Sequence, residues 1–123
     1  MKIRTHRELE VYKIAFAASM KIFDLSKSFP KVETYSLTDH MRRSSRSVCS
    51  NITETFRRRR YEKSFIAKLN DSEGEAAETQ TWLEFSLECD YINKKDFDFL
   101  INEYENVLGK LVIMSKQPQK WTI

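Results

Sequence analysis

Only two glycines and two prolines interrupt the 123 residues of this chain. Folds made of hairpins need glycine or a similar residue at most tight turns. The scarcity therefore argues against a β-sandwich, a barrel or a doubly wound α/β sheet. It also argues against a glycine-rich phosphate loop. Long helices joined by short loops remain. The length suits one domain, since domains commonly hold roughly 100–150 residues. With 41% hydrophobic and 32% charged residues, the chain can build one core under a well-solvated surface.

Apolar spacing predicts four helices, at about 7–28, 36–58, 61–90 and 94–115. Phe29-Pro30 bounds the first, because proline disfavours helix in the residue before it. Ser36 and Asp39 read as a capping box for the second, and Asn93 and Asp96 as the start of the fourth. A turn is expected near Arg58 to Tyr61, since an unbroken helix through this region would be unusually long.

Leu37, Met41, Ser45, Val48, Ile52 and Phe56 share one face of the second helix. Phe65, Leu69, Ser72, Ala76, Thr79, Leu83 and Leu87 make a stripe on the third. Phe97, Leu100, Ile101, Tyr104, Leu108 and Leu111 do so on the fourth. Such stripes are the core faces of an all-α, up-down-up-down antiparallel four-helix bundle. Gly74, inside the third helix, is expected to mark a close approach of another helix.

The first helix carries two apolar stripes. Leu9, Tyr12, Phe16, Met20 and Phe23 form one, and Val11, Ile14, Ala15, Ala18, Ile22 and Leu25 form the other. A helix of a monomeric bundle needs to bury only one. The second stripe predicts a subunit contact through Val11, Ile14, Ala18, Ile22 and Leu25. A broad core face is the alternative. Glu75, Glu78, Trp82 and Phe85, on the third helix away from its core stripe, form a second expected subunit contact.

Charge is polarised along the sequence. Arg42 to Lys63 holds eight basic and two acidic residues, net +6, whereas Asp71 to Glu105 holds two basic and eleven acidic, net −9. Arginine forks match phosphate oxygens. Arg42, Arg46, Arg57, Arg58, Arg59 and Arg60 are therefore candidate nucleic-acid contacts, with Tyr61 beside them able to stack on a base. The competing reading pairs these arginines with the acidic helix, within one chain or across subunits. Within the second helix, Glu54 is spaced to pair with Arg57 and Arg58, and Asn51 to hydrogen-bond an adjacent helix end.

Catalytic signals are weak. Neither His6 nor His40 follows a glutamate by three, so no carboxylate-bridged metal motif is present. Cys49 and Cys89 form no Cys-x-x-Cys pair and read as small packing residues. No enzymatic activity, metal or cofactor is expected. The sequence shows no membrane span or signal h-region, and with two cysteines a reducing, cytoplasmic setting is expected.

The stretch Phe29-Pro30, Glu33, Tyr35, Leu37-Thr38, then Met41-Arg42-Arg43-Ser44, Ser47-Val48, Ser50-Asn51-Ile52 and Glu54 resembles a family of small four-helix-bundle proteins. Its members were first noted in intervening sequences of bacterial 23S ribosomal RNA genes. Glu8-Leu9, Val11-Tyr12, Gly74, Glu78, Trp82-Leu83 and Tyr91-Ile92 extend the resemblance from Glu8 to Met114. It departs at Thr55, where the family has glycine, and at Glu73 and Glu75, which make the third helix more acidic. The resemblance implies a left-handed bundle assembled as a ring-like homo-oligomer, a homopentamer. It also implies kinship with the accessory variability protein of diversity-generating retroelements, a basic bundle associated with nucleic acid and a reverse transcriptase. The expected function is therefore non-enzymatic nucleic-acid binding, RNA favoured over DNA. The alternative is a protein-interaction scaffold whose arginines serve assembly.

Overall fold

The computed structural model describes residues 3–122. Four α-helices follow one another: α1 (Glu10–Ser26), α2 (Leu37–Arg57), α3 (Glu62–Glu88) and α4 (Lys94–Lys116). Short 3-10 turns stand at His6–Glu8, Lys31–Glu33 and Pro118–Lys120, and no strand occurs among the described residues.

Each helix packs on two others, in the cycle α1–α2–α3–α4–α1. Cross-helix bonds fix the directions. Between α1 and α2, the Ser19 hydroxyl donates to Ser45 Oγ (3.1 Å) and Arg42 Nε donates to Ser26 Oγ (2.8 Å). Between α3 and α2, Ser72 reaches the Val48 carbonyl, Thr79 reaches Ser44 and Ser86 reaches the Met41 sulfur. Rising numbers on one helix meet falling numbers on its neighbour, so these pairs are antiparallel. Lys21 Nζ lies 3.3 Å from Asp96, while Leu9 and Val11 share a pocket with Met114, which sets α1 against α4 in the same sense.

The expected stripes of α2, α3 and α4 line the core. Met41, Val48, Ile52, Phe65, Leu69, Ala76, Leu83, Leu100, Tyr104 and Leu111 are almost completely buried. Val107 and Met114 join them, while Leu87, Phe97, Ile101 and Leu108 are half-buried at the core margin. Ser44, Ser72, Thr79 and Ser86 are buried along the α2–α3 seam, and Ser45 against α1. Such small side chains let two backbones approach, and each hydroxyl satisfies itself on a nearby acceptor.

The stripes of α1 are assigned the other way round. Val11, Ala15, Ala18 and Ile22 are buried in the chain's own core, and Ile14 and Leu25 pack against it. The subunit-contact reading is thereby corrected for Val11, Ala18 and Ile22, while Ile14 and Leu25 stay partly exposed. Their small neighbours Ala15, Ala18 and Ser19 let α1 sit close to α2. In the other stripe Leu9 is also buried and Tyr12 and Phe23 are half-buried, and the outward part is Phe16, 50% exposed, and Met20, 47% exposed.

Three local expectations change and one holds. Ser36 forms no side-chain cap; its hydroxyl donates to Glu33 Oε1 (2.6 Å), and the Glu33 carboxylate accepts from the Leu37 N–H. The Asn93 cap does form, its Oδ1 accepting from the Asp96 N–H at 2.7 Å. Gly74 is exposed, and beyond its own stretch of helix no described atom lies within 4 Å of where a Cβ would stand, so no described helix approaches it closely. Cys89 is exposed rather than packed.

Candidate nucleic-acid interface

Because α2 ends at Arg57, the arginine run leaves the helix. Arg58 caps it (φ −99°, ψ 18°), Arg58 to Arg60 make the turn, and Tyr61 enters α3 in extended backbone. Arg42, Arg46, Arg57 and Arg60 therefore do not share one helical face. Arg42 and Arg57 are fifteen residues apart on α2, about 22 Å along the axis at 1.5 Å per residue.

Two basic groups result. In the first, the Arg42 and Arg46 guanidiniums lie 4.7 and 5.6 Å from the Phe23 ring centroid. Arg42 is half-buried and tied to Ser26. Arg46 also edges a groove of about 360 Å³ walled by Tyr12, Phe16, Met20, Phe23 and Cys49. The sequence reading missed Phe23 as the platform for both cations. Its spacing from Tyr12 and Phe16 suggested only an apolar stripe.

The second group is the α2–α3 turn. Arg59 is fixed, its guanidinium 3.7 Å from the Phe56 ring centroid and its Nε donating to the Phe56 carbonyl (2.9 Å). Arg58 donates to Ser64 Oγ (3.1 Å). Phe56, Arg57, Arg59, Arg60 and Tyr61 line a polar pocket of about 300 Å³. Tyr61 is 65% exposed.

The antiparallel arrangement adds further cations to this end. The turn at His6–Glu8 contacts α2, and the turn at Pro118–Lys120 contacts α3. Arg4, Arg7, Lys63, Lys116 and Lys120 therefore accompany the arginine run. The opposite end mixes Glu84, Glu88, Asp90, Asp96 and Asp98 with Lys27, Lys31, Arg42, Arg43, Lys94 and Lys95. The excess of cations is thus concentrated at the end that holds the α2–α3 turn.

Ion pairing is sparse where the competing reading needs it. Among the described residues, Arg42, Arg46, Arg57, Arg58, Arg59 and Arg60 have no carboxylate within 4.0 Å, whereas Arg43 pairs with Asp39. Glu54, expected to pair with Arg57 and Arg58, instead binds Lys68 Nζ at 2.8 Å. That hydrogen bond holds its carboxyl below the usual carboxylate range. Asn51 turns back on its own helix, its Nδ2 donating to the Ser47 carbonyl and hydroxyl. Pairing with the acidic helix inside one chain therefore does not account for the run. Nor does capping of α2 alone, because only Arg59 reaches a carbonyl of the last turn.

On α3, Glu75 is half-buried and Glu78 and Phe85 are exposed. Trp82 stacks on His40 with ring centroids 5.0 Å apart and lies 6.0 Å from Phe85. Partial burial and then the neighbouring Glu75 push the Glu78 carboxyl above its ordinary range. Among the described residues, no group of three or more His, Cys, Asp or Glu side chains is placed to hold a metal ion. No helix there is long and apolar enough to cross a membrane.

An all-helical chain of this topology with a basic end defines a class of small helical-bundle proteins. The chain belongs to the 23S rRNA-intervening sequence protein family, whose model matches residues 7–112. It is also similar to a crystal structure from Bacteroides thetaiotaomicron, described as a protein of unknown function from the S23 ribosomal protein family. Identity is 25%, over 86% of this chain and 98% of that one, with a TM-score of 0.77. No curated protein matches.

Proposed function

We propose that the chain is a non-enzymatic, oligomeric protein of the cytoplasm that binds nucleic-acid phosphates through its basic end, with RNA favoured over DNA. The carrying observation is the set of arginines at the α2–α3 turn that has no carboxylate within 4.0 Å among the described residues although the same chain is rich in acids. Cations left unpaired at one end create a positive potential that draws in polyanions. The RNA preference leans on the family's link to intervening sequences of 23S rRNA genes. Two free cysteines suit a reducing compartment.

Fluorescence anisotropy with a structured RNA and a duplex DNA of equal length, at low and physiological salt, tests this reading. Wild type is expected to bind, more weakly as salt rises, and Arg57→Glu/Arg60→Glu is expected to lose binding. A wild type that binds neither probe at low salt overturns it.

One observation favours a second reading for part of the surface. Arg42 and Arg46 are already held around Phe23, beside the exposed Phe16 and Met20. An apolar strip edged by cations suits a subunit contact, with the acidic face at Glu75, Glu78, Trp82 and Phe85 of another copy as its complement. A head-to-tail contact of that kind closes into a ring, and the family resemblance suggests five copies. Those two arginines would then serve assembly, while the α2–α3 turn serves the ligand.

A further inference from the structure

We propose that the pocket at the α2–α3 turn holds one unstacked nucleotide of a single-stranded nucleic acid, its phosphate between Arg57 and Arg60 and its base against Tyr61. This rests on the phosphate-binding reading above and adds what that reading leaves open, namely which form of nucleic acid the basic end selects.

The pocket combines the two chemistries a nucleotide needs. Arg57 and Arg60 have no acid partner among the described residues, so their forks remain for phosphate oxygens. Arg59 has a different task. Its stacking on Phe56 and its bond to the Phe56 carbonyl hold it as a flat, fixed cation in the pocket wall. A planar guanidinium and an aromatic ring are the two surfaces on which unpaired bases stack. Tyr61 supplies the ring, 65% exposed at the pocket edge.

Size and position limit the occupant. At about 300 Å³ the pocket stands at the lower end of the small-ligand range, roughly 300–1,000 Å³. It suits one nucleotide and cannot enclose a base pair with its stacked neighbours. A duplex keeps its base faces inside the stack and offers phosphates, sugars and groove edges but no free base face. A single strand offers phosphates and a free base face together. Arg58 is tied to Ser64 on α3, outside the pocket lining, so the turn is braced from the other side.

Anisotropy titrations with a single-stranded oligouridine and an RNA duplex of equal phosphate number separate the two contributions. Loss of one base–aromatic stack weakens binding by about 5- to 160-fold. Tyr61→Ala is expected to lose that much on the single strand and to leave the duplex within about twofold. Tyr61→Trp is expected to retain single-strand binding. Tyr61 lies outside the core, and thermal melting of each variant checks that the fold is kept. Salt-sensitive binding that Tyr61→Ala leaves unchanged on both probes, or weakens equally on both, overturns the base pocket while phosphate binding stands. Failure of the wild type to bind either probe at low salt overturns both.

Discussion

Cys49 and Cys89 show how far the same side chain can diverge within one chain. Cys49 is buried beside the α1–α2 groove, and burial pushes its thiol from 9.0 up to about 11; Cys89 is exposed at the end of α3. A disulfide exchange reagent at pH 8 is therefore expected to titrate one thiol rapidly in the native chain and two after denaturation. Rapid reaction of both would contradict the burial. The same burial sets an alkaline limit. Between 9.0 and about 11 the native state keeps a proton that the unfolded thiol has released, so stability falls as pH rises through that window. Below 9.0 the contribution is fully present. Cys49→Ser offers a hydroxyl that does not titrate there, and is expected to flatten this part of the profile in denaturant melts.

Tyr104 makes a related point, since its hydroxyl is fully buried and has no hydrogen-bond partner among the described residues. Such an atom costs about 1–3 kcal/mol. Tyr104→Phe is expected to leave stability unchanged or raise it, measured by the guanidinium midpoint, and a large loss would reveal a partner for that hydroxyl. At this scale the sequence is only partly legible. The Asn93 cap is readable because its bond is local. The loss of the Ser36 cap to Glu33 is not, because the Glu33 carboxylate is also held across the fold by the Tyr91 hydroxyl at 3.0 Å.

The helices themselves were nearly all readable, because burial on one side imposes a period on the sequence. The apolar faces of α2, α3 and α4 are the ones found inside. The reversed stripes of α1 have a physical cause. Counting apolar residues weighs Phe16 and Met20 above Ala15 and Ala18, whereas packing favours small residues wherever two helices must approach closely. Terminal geometry was equally hidden at the end of α3. Asp90 adopts φ 61°, the Tyr91 N–H donates to the Ser86 carbonyl and the Asp90 N–H to that of Leu87. This is a Schellman stop with aspartate where glycine is usual, so no glycine marked it. A left-handed non-glycine residue costs about 1–2 kcal/mol. Asp90→Gly is expected to regain up to about 1 kcal/mol of that in chemical denaturation. A destabilised variant would mean that the Asp90 side chain holds the turn by a contact of its own.

For the whole molecule, the excess of cations at one end follows from topology. Antiparallel neighbours bring the start of α1, the α2–α3 turn and the end of α4 to one end, and each contributes cations. The α2–α3 turn was legible as an arginine run, but its pocket was not, because the Phe56–Arg59 stack depends on where α2 stops. The outward aromatic strip of α1 belongs to this scale too. Phe16→Glu/Met20→Glu is expected to lower the mass seen by light scattering at micromolar concentration to that of one chain, while the helical circular dichroism persists. A wild type already monomeric there would remove the assembly from the account.

The most direct test of the account is the salt dependence of RNA binding. On a single strand, each phosphate contact steepens the slope of log K against log salt by about 0.7. Replacing Arg57 and Arg60 with glutamine is expected to flatten it by about 1.4, while replacing Lys94 and Lys95 at the opposite end should leave it unchanged. An unaltered slope after loss of Arg57 and Arg60, or an equal change from Lys94 and Lys95, would contradict a phosphate site at the basic end.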